Sequence, residues 1–156
     1  MERTLIILKP DAVQRGLSGA ILARFEAKGL KLVAMKLMRI SNDLAERHYA
    51  PHKGKPFYPG LIRYITAGPV VVLVLEGVNA IAVARKLMGK TFGFDAEPGT
   101  IRGDFGMSKT YNLIHGSDAP ESAAAEIALY FRPDELLSYD RPADAWTYDR
   151  SGGEPQ

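Results

Sequence analysis

An unbroken run of valine and leucine from Val70 to Leu75 constrains this chain more than any other feature. The run V-V-V-L-V-L is far too short to cross a membrane, which takes about 20 apolar residues in a helix. β-Branched side chains suit a pleated, packed surface, and an apolar run without polar alternation is typical of a fully buried strand. We therefore predict a strand over Pro69 to Glu76, near the centre of a sheet.

Patterns of strand and helix alternate around this strand. Thr4 to Leu8 and Leu30 to Ile40 have strand character, and Asn112 to His115 predicts a short last strand. Apolar spacing and capping signals predict helices at Leu17 to Phe25, ended by Gly29; at Asn42 to Tyr49, capped by Asn42 or Asp43; at Leu61 to Ile65; at Asn79 to Met88, capped by Asn79; and at Pro120 to Phe131, with Asp118 and Glu121 as a capping box.

The order of these elements predicts the α+β class. A β-α-β unit, two short helices, a second β-α-β unit and a trailing helix form a doubled split βαβ, the ferredoxin-like arrangement. We expect a four-stranded antiparallel sheet with helices on one face, plus a long active-site loop and a C-terminal tail. One domain over residues 1–150 accounts for most of the 156 residues, and residues 151–156 are predicted to be a flexible tail.

Composition narrows the function classes. The net charge is +2, so the overall charge predicts no requirement for nucleic acid and no membrane association. The absence of cysteine excludes disulfides, thiolate metal sites and cysteine nucleophiles. The N-terminus lacks the apolar segment of a signal peptide, and we expect a cytoplasmic protein.

A long segment without obvious secondary structure, Gly89 to about Thr110, offers groups that bind phosphate. It contains Thr91, Thr100 and Arg102 beside glycines that allow close approach of a ligand, and Lys9 and Arg85 are further candidate cations. The chain has no glycine-rich nucleotide-binding motif of the usual kinds. Composition alone predicts a phosphate site, with solvated surface residues as the open alternative.

The chain has three histidines, and their contexts differ. His48 and His52 have the spacing of a helical metal pair, but Pro51 ends the helix between them and no third ligand is near, so we expect surface groups at a helix end. His115 ends a strand, and Glu126 on the following helix could fix its tautomer. Local reasoning leaves His115 either a reactive nucleophile or a structural histidine.

Several long blocks of the chain resemble nucleoside diphosphate kinases. The blocks are E-R-T-L-I-I-L-K-P-D-A-V-Q-R-G-L, H-Y-A-P-H-K-G-K-P-F-Y, G-P-V-V-V-L-V-L-E-G, P-G-T-I-R-G-D-F and N-L-I-H-G-S-D-A-P-E-S-A-A-A-E-I. The last block resembles the active-site signature of that family. Two departures are Thr91-Phe92-Gly93, where the family commonly has T-N-P, and Thr110-Tyr111-Asn112, where it often has G-R-N.

The resemblance implies a ping-pong reaction in which a nucleoside triphosphate, typically ATP, phosphorylates a histidine that then phosphorylates a diphosphate. It implies His115 as the nucleophile through Nδ1, with Glu126 bonded to the other ring nitrogen, directly or with help from Ser117. It further implies broad base tolerance and a role in maintaining nucleotide pools. The implied nucleotide-binding residues are Lys9, Tyr49, Phe57, Leu61, Arg85, Thr91, Arg102 and Asn112.

The same resemblance implies Mg²⁺ held mainly through the nucleotide phosphates, with no direct protein ligand, and a homo-oligomer, either a tetramer or a hexamer. Two rival functions remain to be weighed. An RNA-binding platform on this fold would need aromatic strand motifs that the chain lacks. A nucleotide-binding module without catalysis would be expected to lack His115 or Glu126, and both are present.

Overall fold

The computed structural model describes residues 1–156. Four strands are present: β1 (Glu2–Leu8), β2 (Lys31–Met38), β3 (Val70–Gly77) and β4 (Ile114–Gly116). The α-helices are α1 (Pro10–Gln14), α2 (Ser18–Ala27), α3 (Asn42–His48), α4 (Tyr58–Ile65), α5 (Ala80–Met88), α6 (Ile101–Phe105), α7 (Pro120–Tyr130) and α8 (Asp144–Thr147). Short 3₁₀ turns lie at Ala50–His52, Gly93–Asp95 and Pro133–Glu135.

The four strands form one antiparallel sheet in the order β2-β3-β1-β4. The valine-rich strand β3 lies between β2 and β1, which confirms its predicted central position. Leu5 of β1 is opposite Val74 of β3, and Ile7 is opposite His115 of β4. This sheet and its helices confirm the predicted ferredoxin-like fold, and its register carries His115 next to the central strands.

Helices cover both faces of the sheet, so the prediction of helices on one face was wrong. On one face, Ile6 and Leu73 pack into a core with residues of α2 and α5. On the other face, Leu5 and Val74 pack into a second core with residues of α3, α4 and α7. Successive strand residues point to opposite faces, and since both sets are apolar, both faces need cover.

Two predicted helix caps are corrected by the structure. The Ser41 hydroxyl accepts a hydrogen bond from the backbone at the start of α3, so Ser41 is the cap and Asn42 and Asp43 lie inside the helix. Asn79 precedes α5 with a left-handed φ of 52° and makes no side-chain cap. The Glu2 carboxylate instead accepts from a backbone N–H in the first turn of α5, at 2.8 Å. A long-range contact replaces the local cap there.

The capping box predicted for α7 is absent. The residue before this helix is Ala119, which has an extended backbone and no side-chain cap, while Pro120 is the first helical residue. Asp118 therefore lies one position too early to pair with Glu121. A hydrogen bond from Ser122 is the main cause that lowers the pKa of Asp118.

The segment predicted to be irregular contains a 3₁₀ turn and the helix α6. The Thr100 hydroxyl caps α6 by accepting from the Gly103 N–H at 2.9 Å. The C-terminal region lies along the edge strand β2, where the Tyr139 hydroxyl donates to the Leu32 carbonyl at 2.5 Å. No helix in the chain combines the length and apolar character that a membrane crossing needs.

Candidate active site

One large cleft of about 1230 Å³ opens beside the β4 end of the sheet. Its walls come from α3, α4, α5, the segment around α6, β4 and α7. Every predicted site residue except Ser117 lines it: Lys9, Tyr49, Phe57, Leu61, Arg85, Thr91, Arg102, Asn112, His115 and Glu126. Side chains that are far apart in the sequence therefore share one concave surface, which is typical of a ligand site.

His115 and Glu126 are in direct contact. The Nε2 atom of His115 on β4 is hydrogen-bonded to the Glu126 carboxylate on α7, and the two side chains are 23% and 12% exposed. A carboxylate on Nε2 holds the ring proton there, which leaves Nδ1 with a free lone pair. The geometry thus suits a nucleophilic histidine.

The structure does not bring Ser117 to Glu126. The Ser117 hydroxyl accepts from the Leu5 N–H at 3.1 Å and lies 3.4 Å from the Leu5 carbonyl. Because β4 ends at Gly116, the next residue continues along β1 and its side chain bonds to that strand. Glu126 Oε2 has no hydrogen-bond partner at all. The contact to His115 is direct, without help from Ser117.

His48 lies beside His115, and its prediction as a surface group was wrong. The two rings meet edge to face with centroids 4.7 Å apart, and His48 also packs against Tyr49 and Tyr130. Burial, and then the neighbouring His115, lower the pKa of His48 to about 3. This ring is therefore neutral at physiological pH. Its position depends on the packing of α3 against α7, which sequence spacing does not reveal.

Lys9 is buried at the end of β1. Its ammonium donates to the Asn112 side-chain carbonyl at 2.7 Å and lies 5.0 Å from the centre of the Tyr64 ring. Burial, and then the positive charge of Arg102, lower the pKa of Lys9 to about 7, while Asp11 opposes that shift. A lysine that is half neutral near pH 7 gains its charge when an anion arrives.

Hydrogen bonds to three backbone carbonyls fix the guanidinium of Arg102. Its guanidinium donates to Asn112 O at 3.1 Å, Gly89 O at 3.1 Å and Ile114 O at 2.6 Å. Burial lowers its pKa to about 10, so it stays charged at neutral pH. The fork has five N–H donors, and those left over can contact an anion. Arg85 adds a second guanidinium, anchored to Gly116 O at 3.1 Å.

A small clamp, formed by the side chains of Asp11 and Tyr64, holds the backbone just before β4. Leu113 has a φ of 70°, a left-handed conformation that is strained for a leucine. Its N–H donates to Asp11 Oδ2 at 3.2 Å, and the Tyr64 hydroxyl donates to Asp11 Oδ1 at 2.5 Å. The clamp orients the chain on either side, toward Asn112 and His115. Sequence reasoning missed Asp11 and Tyr64, although P-D directly after Lys9 was a usable signal.

Comparison with known proteins identifies the family. The family description "Nucleoside diphosphate kinase" matches residues 2–136. The chain belongs to the nucleoside diphosphate kinase family. It is 59% identical over 149 residues to the nucleoside diphosphate kinase of Carboxydothermus hydrogenoformans, covering 96% of this chain and 100% of that one. It is 62% identical over 137 residues to that of Thermus thermophilus, covering 88% and 100%.

Solved structures agree. A halophilic nucleoside diphosphate kinase from Halobacterium salinarum, in complex with CDP, matches with a TM-score of 0.93 at 53% identity, over 95% of this chain and 99% of that one. A member of the family from Babesia bovis matches with a TM-score of 0.91 at 48% identity, over 95% and 100%. As a nucleoside diphosphate kinase, the chain transfers the γ-phosphoryl group of a nucleoside triphosphate to a diphosphate. It binds nucleotides, and its family is one of phosphotransferases that use a divalent cation.

The end of the kinase cleft at Phe57 is more open to solvent. The Phe57 side chain is 52% exposed, and Leu61 follows it on α4. Thr91, which both this chain and the family pattern retain, uses its backbone carbonyl to accept from Asn112 Nδ2 at 3.2 Å. Phe92, at the first departure from that pattern, lines the cleft and stacks on Phe94 with ring centroids 5.9 Å apart.

Proposed function

We propose that His115 is the residue that carries the phosphoryl group in this kinase. The observation that supports this most directly is the contact between His115 Nε2 and the Glu126 carboxylate, in a cleft that also holds Lys9, Arg85 and Arg102. In the first half-reaction the Nδ1 lone pair attacks the γ-phosphorus, and the bond from that phosphorus to the β–γ bridging oxygen breaks. The diphosphate leaves with the electron pair of that bond.

The second half-reaction reverses these steps with a different nucleotide. A terminal oxygen of the incoming diphosphate attacks the phosphorus on His115, and the P–N bond breaks. The electron pair returns to Nδ1, and Glu126 keeps the ring proton on Nε2 throughout. Transfer of this kind depends on positioning and on neutralising charge, and needs no further covalent chemistry from the protein.

The cations of the cleft are the groups that neutralise this charge. Lys9, Arg85 and Arg102 contact the phosphates, with the Tyr49 hydroxyl and Thr91 as further hydrogen-bond donors. Lys9 and Asn112 also contact the ribose, since both line the cleft and the 2.7 Å bond between them keeps the two side chains together. Each group lines the same cleft as His115.

The base stacks on Phe57, with Leu61 beside it. Stacking uses a face that every base has, so broad base tolerance follows. The relative from Halobacterium salinarum was solved with CDP, which supports the binding of a pyrimidine diphosphate in this chain.

Mg²⁺ is the divalent cation that we assign to this kinase. The carboxylates that line the cleft are Asp118 and Glu126, and Glu126 is bonded to His115. This leaves no pair of carboxylates free to enclose the ion, a donor set that fits Mg²⁺ held by nucleotide phosphates with its remaining waters. The ion supplies neutralisation of phosphate charge, while Lys9 and the arginines orient the phosphates.

Self-association into a homo-oligomer, tetramer or hexamer, is part of the proposal. Apolar side chains that a monomer would leave in water support it: Met35 and Leu37 on the edge strand β2, Phe92 and Phe94 in the loop, and Trp146, which is 95% exposed. Exposed apolar surface of this kind favours association. Sedimentation equilibrium of the intact chain distinguishes the two assemblies. The single domain, the flexible tail 151–156 and the cytoplasmic location stay predictions.

The proposed mechanism is tested by intact-mass measurement after incubation with ATP and Mg²⁺. We expect one acid-labile phosphoryl adduct on the wild-type chain, removed by GDP or CDP, and none on His115→Gln. An undiminished adduct on His115→Gln would contradict the assignment. A nucleotide-binding module without catalysis would bind ATP and form no adduct on either chain.

A further inference from the structure

Two buried polar atoms beside His115 lack partners. His48 Nδ1 and Glu126 Oε2 are shielded from water, and neither makes a hydrogen bond. Most buried polar atoms in proteins are paired, so two orphaned atoms at one point call for an explanation. His48, His115 and Glu126 each offer one ligand atom, and these three atoms lie within 4.8 Å of one another. None of the phosphate contacts proposed above uses His48.

We propose that His48, His115 and Glu126 bind a transition-metal cation of the Zn²⁺ class in the nucleotide-free enzyme. Two imidazoles and one carboxylate with an open fourth position form a donor set that suits zinc. Mg²⁺ prefers an octahedral shell of oxygen atoms, so this site is distinct from the cation that accompanies the nucleotide phosphates. All three residues line the cleft, from which water can enter to complete the coordination.

The metal requires only a small rearrangement of the site. Zinc binds nitrogen and oxygen at about 2.0–2.2 Å, so ligand atoms in a tetrahedral site are separated by about 3.5 Å. The widest present separation is no more than 4.8 Å, whereas the hydrogen-bonded atoms of His115 and Glu126 are closer together than two zinc ligands, so the side chains must shift by roughly 1 Å. Rotation of the Glu126 and His115 side chains, which form one wall of an open cleft, can supply this movement.

The site has a consequence for catalysis, which rests on the proposed role of His115. Zinc on Nδ1 would occupy the lone pair that attacks phosphorus. Zinc on Nε2 would displace the ring proton that Glu126 holds there, and Glu126 would bind the metal instead. The ring proton would then reside on Nδ1, which blocks the same lone pair. Either mode prevents phosphorylation, so Zn²⁺ inhibits even when Mg²⁺ is in excess.

The binding experiment uses the intact, untagged chain without nucleotide, titrated with Zn²⁺ in a calorimeter. We expect one Zn²⁺ per chain and, for His48→Phe, binding weaker by a factor of at least about 10. Phenylalanine keeps a ring against Tyr49 and Tyr130 and removes only the nitrogens. His52→Phe is the matched control, because His52 lies four residues further on, outside the cluster, and its Nδ1 contacts Lys55 at 3.1 Å.

A second measurement reads the ligands directly. With only three histidines in the chain, ¹⁵N spectra of the imidazole nitrogens are simple to assign. We expect Zn²⁺ to shift the signals of His48 and His115 and to leave those of His52 in place. The proposal fails if the wild type binds no stoichiometric Zn²⁺, if His48→Phe binds as well as the wild type, or if His52 is the ring that shifts. None of these results depends on phosphotransfer.

Discussion

The two ends of the cleft, which we assign to the phosphates and to the base of the nucleotide, differ in how firmly the protein holds them. At the phosphate end, Lys9, Arg102 and Asn112 are buried and bonded to one another or to backbone. At the base end, Phe57 is 52% exposed, and its ring lies near the side chains of His52 and Lys55. Phosphoryl transfer requires fixed atoms, whereas a kinase that accepts many bases gains nothing from a fixed base pocket. Rigidity is therefore concentrated where every substrate is chemically identical.

The phosphate end, which is the rigid end, also carries the largest local free-energy costs in the cleft. Desolvation of two cations disfavours their charged forms, and a leucine in a left-handed conformation adds strain of about 1–3 kcal/mol. Neutralising phosphates would relieve the first cost on binding. The base end carries no comparable burden, since Phe57 is in contact with water.

Removing the charge of Glu126 tests the rigid end most severely. For Glu126→Gln we expect phosphorylation of His115 to slow by a factor of about 100, the low end of what a positioned proton-holding group contributes. The amide no longer stabilises the proton on Nε2, so the ring samples the wrong tautomer. Rapid-quench measurement of phosphoenzyme gives the rate, and ¹⁵N spectra of His115 give the tautomer.

Glu121→Gln is the control for that change, because Glu121 lies in the first turn of the same helix and is exposed. It should leave both the rate and the spectrum as in the wild type. A Glu126→Gln enzyme with the wild-type rate would show that the His115 contact is structural, and the contrast between the two ends would then lose its basis.

Strands and the order of elements were predictable because they depend on local patterns. The valine-rich run predicted β3 and its central position, and the βαβ order predicted the fold. The same run also contained a signal for helices on both faces, since a strand without polar alternation is buried on both sides. The caps were less predictable. Glu2 caps α5 from 79 residues away, and no local window contains that contact.

The site residues also divide into those that the sequence predicted and those that it did not. His115, Glu126, Lys9 and Arg102 could be named because ordered sequence blocks carry them. His48 could not be placed, because its contact with His115 depends on how α3 packs against α7. Ser117 was expected to reach Glu126, but the end of β4 at Gly116 leaves it bonded to Leu5. Sequence spacing indicates which residues are present, whereas packing decides which of them touch.

The pH dependence of nucleotide binding tests the buried lysine. The pKa of Lys9 is lowered to about 7 in the free protein. Phosphates favour the charged form, so the pKa rises on binding and a proton is taken up above pH 7. Affinity for a Mg²⁺ nucleotide should therefore fall about tenfold between pH 6 and pH 8, as the free protein loses its charge.

Calorimetry in two buffers of different ionisation enthalpy measures this proton directly. We expect uptake approaching one proton at pH 8 and little at pH 6, and none at either pH for Lys9→Gln. Equal proton uptake by the wild type and Lys9→Gln would assign the titration to another group. It would also mean that the phosphate end is less desolvated than its geometry indicates.

Truncating Phe57 tests the open end and should have the smallest effect. Base stacking is worth about 1–3 kcal/mol, and the exposure of this ring places it near the lower limit, which corresponds to about fivefold in KM. For Phe57→Ala we expect that rise for ADP, GDP and CDP alike, with kcat nearly unchanged because the phosphate end is intact. Steady-state kinetics with each diphosphate measures it, with Met107→Ala, an exposed side chain outside the cleft, as the control. A rise confined to one base, or a large loss of kcat, would mean that the base end is held as specifically as the phosphate end.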